Sequence, residues 1–214
     1  PMSFGYLGDT STKIKQQVKN QGVISVSEAY ELEKAGQLGG SLELIAQESY
    51  SSSVSNVDFL NIKENIYDVH LLQISSLKIS PTNSGLRVQF YESGVLESST
   101  VYQGARQVCG VDGTFSVQQA TTYSGLVVGG TTTTATGNSL NAYVYLYYLG
   151  NSSKYSFSTV HDNTFDYFVS GVSNFGGFLL PQKSTVDGIR VSATSGNYTD
   201  FDIKLYGVKQ LWVL

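Results

Sequence analysis

From Ser41 onward, apolar and polar positions alternate with a period of two. Tyr67, Val69 and Leu71 alternate with Asp68, His70 and Leu72, and Leu86, Val88 and Phe90 with Arg87, Gln89 and Tyr91. The same rhythm returns at Tyr155, Phe157 and Thr159 against Ser156, Ser158 and Val160, and at Phe201, Ile203 and Leu205 against Asp202, Lys204 and Tyr206. Successive strand side chains point to opposite faces, so each run predicts a strand with one face in a core and one outside it. Turn signals separate the runs: Pro81 to Gly85, Glu92-Ser93-Gly94, Asp112-Gly113, Gly150-Asn151 and Ser195-Gly196-Asn197. The spacing predicts about ten to twelve strands in an antiparallel, jelly-roll-like β-sandwich. No helical pattern of useful length interrupts them, which excludes a parallel α/β sheet. The uncharged, β-branched stretch Gly129 to Gly137 is either an edge strand or a long exposed loop, and the glycines that bracket it favour the loop.

The first forty residues follow another rule. Ile14 and Val18 stand four apart in a Lys- and Gln-rich segment, which predicts a short helix with one narrow apolar stripe. Ser25 and Glu28 form a capping box, with Ala29, Tyr30 and Leu32 following at helical spacing and Gly36 at the C-cap position. Helices of about ten residues are marginal alone in water. They must pack on the following domain or on another protein, and docking on a partner or sibling subunit through Ile14, Val18, Tyr30 and Leu32 is expected. Gly39-Gly40 is a hinge, dividing the chain into a helical docking segment (1–40) and a β-sandwich (41–214).

Composition narrows the function. Lys and Arg number 13 and Asp and Glu 17, a net charge of −4, which argues against nucleic-acid binding. Only 14% of residues are charged, while Ser and Thr make up about a fifth and Tyr numbers 15. That surface resembles one that works outside cells. No run reaches the roughly 18 apolar residues needed to span a bilayer, so membrane insertion is not expected. Pro1 before Met2 reads as a cloning remnant, and with no apolar signal segment, synthesis in a cytoplasm is expected. A single cysteine, Cys109, and two histidines, His70 and His161, point to no disulfide, no metal centre and no cofactor.

Candidate chemistry has a plainer reading at each place. His161-Asp162-Asn163 with Asp166 reads as a turn closing the strand that ends near Val160. Asp68 and His70 share a strand face and read as a surface pair. Cys109, in an apolar setting without a neighbouring base, reads as a buried inert thiol. No Gly-x-Ser-x-Gly elbow marks a nucleophile, and the scattered carboxylates single out no pair, so no catalytic residue is assigned.

The tyrosines say more. Tyr143, Tyr145 and Tyr147 share one strand face, opposite Val144, Leu146 and Tyr148. Tyrosine supplies large contact area at low rotamer entropy and a hydroxyl that tolerates water. The face is a candidate subunit interface or platform for sugar rings, beside the plain reading of sandwich packing.

Several segments resemble a known group. They are Gly39 to Ile45, Ile66 to Leu71, Leu86 to Tyr91, Asp187 to Val191 and Ile203 to Lys209. In this order they resemble structural proteins of marine tailed bacteriophages, including cyanophages: virion, tail-fibre or capsid-decoration proteins. The resemblance runs over most of the chain from Met2, with Gly129 to Gly137 outside it. It implies a non-enzymatic virion component made in a bacterial cytoplasm, with other capsid or tail proteins as partners. A homo-oligomer, a trimer first, is expected from the two-sided tyrosine strand, the unsupported helices and the apolar tail Leu211 to Leu214. A glycan-binding module at a fibre tip is the alternative, and a host surface glycan would then be the partner.

Overall fold

The computed structural model describes residue 30 and residues 41–80, 84–132, 137–165 and 171–209. Thirteen strands lie among them: β1 (Leu42–Tyr50), β2 (Asn56–Leu60), β3 (Val69–Ser80), β4 (Ser84–Glu92), β5 (Val95–Leu96), β6 (Tyr102–Gly110), β7 (Phe115–Tyr123), β8 (Leu126–Thr132), β9 (Leu140–Tyr147), β10 (Ser156–Phe165), β11 (Gly171–Leu180), β12 (Val186–Ala193) and β13 (Asn197–Val208). The body is mainly β and its strand pairings are antiparallel. Eight strands form one sheet in the order β1-β13-β3-β9-β10-β11-β6-β7. A second sheet runs β2-β12-β4-β5, with β8 joined to β4.

The two sheets share one core. Leu72 and Ile74 of β3, Val144 and Leu146 of β9, and Ile203 and Leu205 of β13 meet Leu86, Val88 and Phe90 of β4 and Ile189 and Val191 of β12. Each fully buried side chain of this size contributes about 1.5–3 kcal/mol of transfer free energy, which is why the alternation persists from strand to strand. Ser93 and Gly94 both take positive φ, 52° and 76°, where a two-residue hairpin joins β4 to β5.

Three expectations are corrected. Gly129 to Gly137 is not wholly a loop: β8 carries the chain as strand through Thr132, and residues 133–136 lie outside the described residues. His161-Asp162-Asn163 is not a turn either. These residues continue β10, paired to Asn141–Tyr143 on one side and Ser173–Phe175 on the other. Turn-favouring Asp and Asn are overruled there because both neighbouring strands supply ladder partners. Asp68 and His70 make no surface pair. His70 is buried, and its Nε2–H donates to the Ile62 carbonyl at 2.9 Å. Ile14, Val18, Leu32, Asp166 and the tail Leu211 to Leu214 lie outside the described residues; Tyr30 is helical and exposed.

Candidate functional site

The large sheet has two unlike outer halves. Toward β1 and β13 it is charged: Asp202 accepts hydrogen bonds from Lys204, Gln47 and Ser49, and Glu43 pairs with Lys63 and Lys209. Toward β9, β10, β11, β6 and β7 the outward positions carry no Asp, Glu, Lys or Arg. The register defines the rungs of this face. One runs Tyr143, His161, Phe175, Gln107, Val117; the next runs Tyr145, Thr159, Gly177, Ala105, Gln119. Tyr143 is 46% exposed and Phe175 54%, and Phe157 and Phe165 stand out of the same face.

The tyrosine ridge is held in place by its neighbours. Ser173 Oγ donates to the Asp162 carbonyl, so it accepts from His161 Nε2–H at 3.3 Å. That leaves His161 Nδ1 to accept from the Tyr143 hydroxyl at 2.9 Å. The Tyr147 hydroxyl meets Thr159 Oγ1 at 3.2 Å, and the Tyr145 and Tyr147 rings stack with centroids 6.5 Å apart. A groove of about 520 Å³ lies on the β3 side of Tyr143, lined by Gln73, Asn141 and Asn163 among others. A second, of about 610 Å³, lies on the other side, between Tyr145 and Phe175. Rings and neutral amides or hydroxyls held in fixed rotamers suit contact with an uncharged surface.

The one Asp and the one Arg of the same strands within the described residues, Asp162 and Arg106, point inward. Asp162 Oδ1 accepts the Gly129 N–H at 2.9 Å and its Oδ2 accepts from Asn174 Nδ2 at 2.7 Å. Arg106 donates through Nη1 to the Gly129 carbonyl at 2.7 Å and through Nε and Nη2 to Gln118 Oε1. Burial raises the Asp162 pKa; the Asn174 hydrogen bond and the Arg106 charge oppose it. Burial lowers that of Arg106, with the Asp162 charge opposing. Both polar groups of Gly129, at φ 78°, are thus held, and a Cβ there would sit 2.1 Å from buried Leu140 Cδ1. The arrangement fastens β8 onto the large sheet, as a polar pin inside the sandwich rather than a reactive centre.

Tyr143, Tyr145 and Tyr147 stand on the outward face of β9, while Val144 and Leu146 enter the core. Cys109 is half-buried on the outward face of β6, opposite Phe115, instead of sealed in the interior. His70 and His161 point to opposite faces of the large sheet and share no cleft. Among the described residues no three His, Cys, Asp or Glu side chains come together as a metal site. Sequence reasoning missed Phe157, Phe175 and His161 as neighbours of the tyrosines. Alternation defined each strand's faces, but only strand order brings them side by side.

No protein-family model and no curated protein matches this chain. Among solved structures, the crystal structure of the exo-inulinase from Aspergillus awamori aligns with 12% identity and a TM-score of 0.36 over 79% of this chain and 30% of that one. The chain therefore spans under a third of that enzyme's length.

Proposed function

We propose that this chain is a non-enzymatic structural component of a bacteriophage particle, a capsid decoration, head fibre or tail fibre. It docks through its N-terminal helical segment, residues 1–40, and displays a jelly-roll-like β-body to solvent. The observation that carries the reading is the neutral, aromatic half of the large sheet, five strands wide. At a strand spacing of about 4.8 Å this face is roughly 24 Å across. Exposed apolar surface on that scale marks a place of contact. Buried Asp162 and Arg106 beneath it are spent on fastening β8, and the face itself presents rings, hydroxyls and amides with no carboxylate, which suits binding. The phage setting comes from the sequence resemblance. It accounts for a sparsely charged, Ser/Thr/Tyr-rich surface on a chain with one cysteine. Mass spectrometry of purified particles tests it: the chain should be present at a fixed copy number per particle, and its absence from them refutes the proposal.

The two grooves beside Tyr143 favour a second reading, a host-recognition module for a neutral glycan. Pyranose rings stack on tyrosine while amides such as Asn141 and Asn163 meet their hydroxyls. On a glycan array, Tyr145→Ala should weaken any wild-type signal at least tenfold while leaving the thermal midpoint within a few degrees. No binding by the wild-type chain, or binding that survives this substitution, eliminates the glycan reading.

A further inference from the structure

We infer that the free edge of β7 is a self-association site, where a second copy of this chain adds its own β7 in antiparallel pairing. Among the described residues the large sheet ends at β7. The Gly110 N–H donates to the Thr114 carbonyl, so even-numbered residues of β7 turn their backbone groups toward β6. The N–H and C=O groups of Phe115, Val117 and Gln119 therefore face away from the sheet, in the hydrogen-bonding direction. Unpaired edges invite another chain, and proteins protect them with charge, bulges, shortness or cover.

The other edges carry such protection. β1 has Glu43 and Glu48 and a register shift between Leu44 and Ala46. β2 has five residues and includes Asp58, and β5 has two. β8 lies against β10 of the opposite sheet. In contrast, β7 reads Phe-Ser-Val-Gln-Gln-Ala-Thr-Thr-Tyr, with no charge, proline or glycine. It is regular from Phe115 to Ala120, before a register shift near Tyr123. Phe115 is 71% exposed and Val117 62%.

Charge selects the occupant. Two copies each carrying −4 repel one another generally, and least where the approaching surfaces have no charge. A two-fold axis normal to the sheet at Val117 pairs Val117 with its own counterpart and Phe115 with Gln119. Both copies then turn their neutral faces the same way, and the face doubles in width. Such a pair differs from the trimer expected from sequence.

Light scattering on the full chain at tens of micromolar tests this, with the result expected being a dimer or an even multiple. Val117→Pro removes an outward N–H and no ladder bond to β6, and Val117→Lys places two positive charges on the axis. Each should halve the mass while the circular dichroism spectrum stays unchanged. A Cys109→Ser/Val117→Cys chain should be joined into covalent dimers by a short thiol-to-thiol crosslinker. A wild-type monomer, a trimer, or a dimer that survives both Val117 substitutions and resists crosslinking overturns the inference.

Discussion

Arg190 and Asp58 show how single residues fix the smaller sheet. Arg190 Nε and Nη2 donate to the two Asp58 carboxylate oxygens at 2.7 Å each, across neighbouring strands β12 and β2. Burial pushes the Asp58 pKa up, but the Arg190 hydrogen bond and charge, helped by Tyr91 and Asn56, hold it below the ordinary carboxylate value. A depressed carboxylate contributes stability that is present above its unfolded pKa and is lost as pH falls through the folded one. Urea midpoints should therefore fall as pH drops from about 4 toward 2. Arg190→Gln should lower the neutral-pH midpoint and flatten that limb; an unchanged acid limb would contradict the assignment. Neither partner was singled out from sequence. They lie 132 positions apart, and only the pairing of β2 with β12 brings them together.

At the scale of elements, the legible part was the period and the illegible part its sense. Leu86, Val88 and Phe90 do enter the core, as do Phe201, Ile203 and Leu205. In β10 a mostly polar set goes inside: Ser156, Ser158, Asp162 and Thr164 are buried beside Val160, while Phe157 and Phe165 face out. Local hydrophobicity favours the reverse. The outcome is set by β8, whose Gly129 needs the Asp162 carboxylate, and by Asn174 across the ladder. The β-branched Thr run allowed an edge strand, but its flanking glycines favoured the loop, and only the ladder with β4 settles it as strand through Thr132. Asp162→Ala leaves buried Arg106 without its countercharge and frees the Gly129 N–H, so it should cost about 3 kcal/mol. Hydrogen exchange should rise first in β8. Uniform loss across both sheets, or no loss, would contradict the pin.

For the whole molecule, the mainly β body with a sandwich core was legible from alternation and turns, because burial must repeat every second residue whatever the topology. The strand order was not, since ladder partners such as β13 and β3 are distant in sequence and carry no local mark. The tyrosine face was legible as a strand face, but its extension over β10, β11, β6 and β7 depended on that order. The resulting division, charged at β1 and β13 and neutral from β9 to β7, is what makes the chain a contact body in this account. Electron microscopy of the proposed phage particle, at a resolution that separates strands, tests that most directly. Density for this chain should show its neutral half-sheet covered by a neighbouring subunit. A particle in which the chain is missing, or touches its neighbours only through the charged half, would contradict it.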